Sequence, residues 1–242
     1  MSVAETASAC DLRCARVADV LPDEEAYDSA YSRLPTWRRS KCDAFRFPAD
    51  RRRSVAAWLL LRQMLSERGL DADSLPVSEN GFGKPAFDPS LGIRFSLSHA
   101  GNRVMAVVSD AEVGCDVERI ASVDDGMLRA VLCNAERESL AALSDEARNQ
   151  AFFRLWVRKE SYVKAVGRGL NIDLSAFSAL ETPPAFGWVW QDFDYGDGHL
   201  GCVCTRLKRV AQGMRVSGRS CNAWPEAEPM TFSGGFVIMK AL

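Results

Sequence analysis

From Phe152 to Ala165 the chain runs without glycine or proline, and Phe152, Leu155, Trp156 and Val163 recur with the period of a helix that buries one face. On that helix Glu160 and Lys164 are four residues apart and project from the same side. An acid and an amine held beside a buried surface suit chemistry on a metal and a phosphate, and a plain surface ion pair fits this segment equally well. An acidic pair upstream, Asp116 and Glu118 in the run Val113-Gly114-Cys115-Asp116-Val117-Glu118, moves the reading toward chemistry.

That upstream run has the alternation of a strand. A period of two puts Asp116 and Glu118 on one face and Cys115 and Val117 on the other. Neighbouring carboxylates on one face repel unless they are solvated, paired with cations or neutralised by a divalent metal. A water-exposed edge strand is the plainer alternative.

The 242 residues can bury a full core, as one large domain or two small ones. No apolar run approaches the roughly 18–20 residues needed to cross a bilayer. Residues 1–21 mix Glu5, Asp11, Arg13, Arg16 and Asp19 into their apolar positions, which leaves no signal-peptide core. A cytoplasmic protein with no membrane partner is expected. The eight cysteines form no C-x-x-C pair, so free, buried thiols are expected. His199, Cys202 and Cys204 could be read as a zinc cluster, but the alternation of 202 and 204 fits one face of a strand better.

Charge is unevenly placed. Residues 1–32 carry seven acids and two bases, whereas residues 33–62 carry nine bases and two acids. The basic run lacks aromatic interleaving and any recognised nucleic-acid motif. A solvated helix face explains it, and so does a compact phosphate-bearing small ligand.

In chain order, Phe47-Pro48-Ala49-Asp50 reads as a helix start, and the helix runs through Leu65 to a stop at Gly69. Asn80-Gly81 marks a turn. The following Gly83-Lys84-Pro85 lacks the spacing and hydroxyl of a Walker loop, although Lys84 can still reach a phosphate as a single charge. Residues 93–98 and 103–109 read as a hairpin, with His99 at its tip. Residues 109–112 are a candidate domain boundary. Helices are expected around 127–133 and 134–143, the second capped by Asn134, and the central helix should end at Gly167-Arg168-Gly169. Strand-like pieces follow at 186–190, 200–206, 213–216 and 235–240. Helices beside antiparallel hairpins make an α+β pattern.

With these pieces in order, the chain resembles the Sfp-type 4′-phosphopantetheinyl transferases over residues 33–178. The resemblance rests on Gly114-x-Asp116-x-Glu118 followed by Trp156-x-x-Lys159-Glu160-Ser161-x-x-Lys164. Residues 38–41, Arg53-Ser54, Gly83-Lys84-Pro85 and Phe95-Ser96-Leu97-Ser98-His99 fall in the family's order. Cys115 stands where the family often has Ile or Val, and Arg158 where it often has a small residue.

The resemblance implies two pseudo-symmetric α+β halves, residues 1–110 and 111–242, with the active site in the cleft between them. It implies Mg²⁺-dependent transfer of the 4′-phosphopantetheine arm of coenzyme A to a serine of an apo acyl or peptidyl carrier protein, releasing adenosine 3′,5′-bisphosphate. Asp116, Glu118 and Glu160 would hold the metal. Glu160, Lys164 and His99 would be catalytic. Arg38, Lys41, Arg53, Ser54, Lys84, Ser98, His99, Lys159 and Lys164 would contact the coenzyme. A monomer is expected, because two halves can close their own site, with the carrier docking near the cleft. Another Mg²⁺-dependent nucleotide phosphohydrolase could use the same acids. A non-catalytic binder of coenzyme A or nucleic acid would leave Asp116 and Glu118 unexplained.

Overall fold

The computed structural model describes residues 4–6, 9–210, 230–231 and 237–240. Strands β1 (Ala4–Thr6) and β2 (Cys10–Arg16) precede helices α1 (Val17–Val20), α2 (Glu24–Ser32), α3 (Thr36–Asp43) and α4 (Pro48–Ser66). A short hairpin of β3 (Val77–Glu79) and β4 (Pro85–Phe87) leads to a longer one, β5 (Arg94–Ala100) and β6 (Arg103–Ser109). Next come β7 (Val113–Arg119), α5 (Asp125–Val131), α6 (Asn134–Leu140) and α7 (Asp145–Val166). Strands β8 (Trp188–Asp194), β9 (His199–Arg206), β10 (Lys208–Val210), β11 (Met230–Thr231) and β12 (Val237–Lys240) complete the order. The strands pair antiparallel and the helices lie outside them, an α+β architecture.

One sheet has the order β11-β12-β2-β6-β5 and another the order β7-β9-β8. Pro48 in the first turn and Asp50 near the positive end start α4, whose Val55, Trp58, Leu61 and Leu65 are fully buried. These side chains pack on Phe95, Val104, Ala106 and Val108 of the first sheet. Burying each large one contributes about 1.5–3 kcal/mol, which pins α4 to that face. Strand β6 is buried along its whole length. Its alternate residues Met105 and Val107 point away from α4 and meet Val113, Cys115, Val117 and Val203 of the second sheet. The layers therefore run from α4 through the two sheets to α7.

Helix α7 begins two turns before the apolar stretch that signals it. Ser144 accepts from the Ala147 amide, Asp145 and Glu146 occupy the first turn, and Gly167 closes the helix in the left-handed region at φ 73°. The strand that α7 covers must come very close. A Cβ on Gly114 would lie 2.1 Å from the Ser161 carbonyl oxygen and 2.3 Å from the Ala165 nitrogen. Glycine at 114 is thus what lets β7 seat against the backbone of α7.

Several local expectations shift. His99 lies within β5, paired with Val104, and not at the hairpin tip, because pairing continues to Ala100 and leaves only Gly101-Asn102 to turn. Cys133, not Asn134, is the N-cap of α6, and its amide donates to Glu136 at 2.9 Å. Strand β8 begins at Trp188 and leaves Phe186 outside, 84% exposed. The piece at 213–216 lies outside the described residues. The acidic start partly answers the basic run, since Arg52 pairs with Glu24 at 2.7 Å.

Candidate active site

Strand β7 turns Asp116 and Glu118 toward α7, as its alternation requires, and Cys115 and Val117 into the core between the sheets. Asp116 is buried and Glu118 half-buried. Lys164 Nζ donates to Asp116 Oδ1 at 2.5 Å and to Ser98 Oγ at 3.0 Å, while Ser98 Oγ donates to the same Oδ1 at 2.8 Å. Residues from β5, β7 and α7 thus meet at one carboxylate. The outer edge of β7 is not left to water. The Cys115 and Val117 amides donate to Ser96 and Ser98 Oγ, each at 3.2 Å, so two serines of β5 stitch the sheets together.

Beside this junction lies a cleft of about 590 Å³. Arg38, Lys41, Lys84, His99, Glu160 and Lys164 line it, together with Phe82 and Gly167. Arg38 is buried and bonds the Ser54 carbonyl at 2.6 Å and Ser54 Oγ at 2.7 Å, so Ser54 holds a guanidinium in the cleft wall. Lys41 pairs with Glu79 at 2.9 Å on the rim. His99 meets the edge of Phe45 with ring centroids 5.5 Å apart.

Burial pushes the Glu118 carboxyl up to about 8, helped by Asp116 and Glu160 and opposed by Lys164. Glu160 is also raised, by burial and then by Asp116. Burial draws the Lys164 ammonium down, but Asp116 outweighs it and leaves the pKa above the ordinary lysine value. His99 is held down at about 4 by burial and then by the positive charges of Lys164 and Arg53. The acids are crowded and short of neutralising charge, and the imidazole is neutral near pH 7.

Some expected ligand residues are placed elsewhere. Lys159 does not face the cleft. It is fully buried in the second core, pairs with Glu136 at 2.5 Å and donates to the carbonyls of Val131, Leu174 and Phe177. One residue along a helix turns a side chain by about 100°, which sends 159 inward while 160 and 164, four apart, share the face at the site. Arg53 sits behind the cleft wall, paired with Asp50 and donating to the Gly101 carbonyl at 3.1 Å. Lys84 lines the cleft, yet its ammonium is shared by the Val113 and Ala165 carbonyls at 3.1 and 3.0 Å. Ser96 and Asn80 carry structural work that the sequence signalled only as strand alternation and a turn.

A model of the 4′-phosphopantetheinyl transferase superfamily matches residues 112–194, the stretch from β7 through α7 to β8. The 4′-phosphopantetheinyl transferase psf-1 of Bacillus pumilus is 32% identical over 190 residues, covering 74% of this chain and 82% of the relative. The chain belongs to the 4′-phosphopantetheinyl transferase superfamily. Two more transferases bear similar likeness: AcpT of Salmonella typhi, 36% identical over 52% of this chain and 68% of its own, and HetI of a Nostoc strain, 30% identical over 68% and 72%.

For a phosphopantetheinyl transferase the acids can be tested as a metal site. Among the described residues no three of His, Cys, Asp and Glu are already gathered as a cage. Asp116 Oδ2 is nevertheless buried without a hydrogen-bond partner, and Asp116 raises both Glu118 and Glu160. Hard, crowded oxygen donors, of which Glu160 lines the cleft, fit a cation such as Mg²⁺, which takes few protein ligands and keeps several waters. No helix among the described residues is long and apolar enough to cross a membrane.

Proposed function

We propose that this chain transfers the 4′-phosphopantetheine arm of coenzyme A to a serine hydroxyl of an apo acyl or peptidyl carrier protein, with Mg²⁺ held by Asp116, Glu118 and Glu160. The observation that carries this reading is the junction of Asp116, Ser98 and Lys164 beside a cleft walled by Arg38, Lys41, Lys84 and His99. The coenzyme brings a pyrophosphate and a separate 3′-phosphate, and scattered cations around one cluster of acids match that charge pattern.

Arg38 and Lys41 would take the nucleotide end with its 3′-phosphate, and His99 and Ser98 would hold pyrophosphate oxygens. When bound, Mg²⁺ would draw charge from the phosphates and orient the one under attack. Glu160, directly or through a water, would accept the serine proton. The serine oxygen would form a bond to phosphorus as the bond to the nucleotide breaks. Lys164, kept charged by Asp116, would donate to the departing phosphate and offset the charge that develops there. The departing product would be adenosine 3′,5′-bisphosphate.

The test is the intact mass of an apo carrier protein after incubation with this protein, coenzyme A and Mg²⁺, with EDTA as control. A gain of one phosphopantetheine group that EDTA abolishes is expected. No gain on acyl and peptidyl carriers, together with no binding of coenzyme A, would overturn the reading.

A further inference from the structure

We propose that Asn80 is a positioning residue that ties the cleft loop at residues 82–84 to the last turn of α7 and thereby sets Lys164. The statement about Lys164 rests on the transfer reaction proposed above; the tie itself is visible in the contacts.

Asn80 faces two ways. Its Oδ1 accepts from the Phe82 amide at 2.9 Å and the Lys84 amide at 3.0 Å, which shapes the turn, while its Nδ2 donates to the Gly167 carbonyl at 2.7 Å. Lys84 makes a second tie four residues on, through the Ala165 carbonyl at 3.0 Å. The last carbonyls of a helix have no partner within it and are usually capped by water or the adjoining chain. Here Ala165 and Gly167 are capped by a loop 81 and 87 residues away in sequence.

The fit is close. Gly167 has φ 73°, and a Cβ there would lie 2.9 Å from Asn80 Nδ2 and 2.9 Å from Lys84 Cδ. A side chain at 167 would be strained by its backbone and would also push the loop away. Phe82, Gly83 and Lys84 line the cleft on one side, and Lys164 and Gly167 line it on another. Lys164 immediately precedes the tied carbonyl of Ala165. A ligand resting on the loop therefore bears, through Asn80 and Lys84, on the turn that carries Lys164.

Two substitutions separate the turn from the tie. Asn80→Ser keeps a neutral oxygen for the turn amides but is too short to reach Gly167. Asn80→Asp keeps the shape and the acceptor but has no N–H to donate. Both should keep cooperative unfolding and a KM for coenzyme A within about twofold of wild type, with kcat lowered about tenfold or more, since misplacing a reacting group by about 1 Å can cost a hundredfold. Hydrogen exchange at amides 165–168 should quicken in both, and adding coenzyme A should slow it in wild type but not in the variants.

Gly167→Ala breaks the same contact from the helix side and carries the test should the Asn80 variants not fold. Its kcat loss should combine with that of Asn80→Ser less than multiplicatively. Wild-type kcat and unchanged exchange in the Asn80 variants would overturn the proposal, as would a raised KM with kcat intact. Wild-type protein that performs no transfer, yet loses exchange protection on Asn80→Ser, would sink the reaction and leave the tie standing.

Discussion

Lys159→Met is the substitution that best separates a buried structural lysine from a coenzyme contact. The ammonium has four oxygen partners: Glu136 at 2.5 Å and the carbonyls of Val131, Leu174 and Phe177 at 2.9, 2.8 and 2.8 Å. Both side chains of the ion pair are fully buried. Methionine fills much the same volume but leaves Glu136 with only the Cys133 and Ala179 amides as donors. Removing one member of a buried pair costs about 3–5 kcal/mol, and each stranded carbonyl adds a share of its own desolvation penalty, about 1–3 kcal/mol when wholly unmet. A loss of at least about 4 kcal/mol follows, against a total stability of about 5–15 kcal/mol for a domain. Urea unfolding followed by tryptophan fluorescence and far-ultraviolet circular dichroism should show the midpoint falling steeply. Adding Glu136→Gln removes the stranded charge while keeping an acceptor for one of the two amides, so the double variant should recover part of the loss. Where Lys159→Met is still folded, its KM for coenzyme A should match wild type. An unchanged midpoint with a raised KM would refute the buried-pair account and restore Lys159 to the ligand site.

Asp116→Ala, Glu160→Gln and Lys164→Ala should each lower carrier transfer by orders of magnitude with the fold intact by circular dichroism; near wild-type turnover in any one removes that residue from the mechanism. Gly114→Ala places a methyl 2.1 Å from a helix carbonyl, so it should part β7 from α7 and lower stability by more than the roughly 1–3 kcal/mol of ordinary overpacking, read by urea unfolding; a variant of normal stability would mean that the two elements are not in this contact. His99 binds its proton less readily folded, at about 4, than unfolded, near 6.5, so the unfolded state holds more protons between these values. Its contribution is therefore present above about pH 6.5 and is lost as pH falls toward 4, by at most about 3 kcal/mol before solvent screening of the half-buried ring is allowed for. Unfolding at pH 7 and pH 4.5 should show a smaller drop in His99→Gln than in wild type, and equal drops would exclude the imidazole as the source.

Local periodicity carried far in this chain. The apolar spacing of the helix holding Glu160 and Lys164, the alternation that puts Asp116 and Glu118 on one face, and the stop at Gly167 all depend on residues within a turn or two of one another. They appear in the structure as read, because burial of one face leaves a strand or helix a single phase to adopt. The motif Gly114-x-Asp116-x-Glu118 also pointed to the family to which the chain belongs.

Partnership across the chain could not be read in this way. Lys159 stands next to Glu160 in the sequence, yet one ammonium is sealed in the core and the neighbouring carboxylate faces the cleft. Of the basic run, Arg38 and Lys41 line the cleft, while Arg52 answers Glu24 and Arg53 answers Asp50 behind the wall. The serines that receive the amides of β7, the glycine that admits α7, and the asparagine that holds the end of that helix look like ordinary strand and turn residues until the layers close on them. A sequence determines which face of each element must be buried, since that depends on neighbours along the chain. Which polar atoms then meet depends on contacts between segments up to 87 residues apart, and only the packed layers decide that.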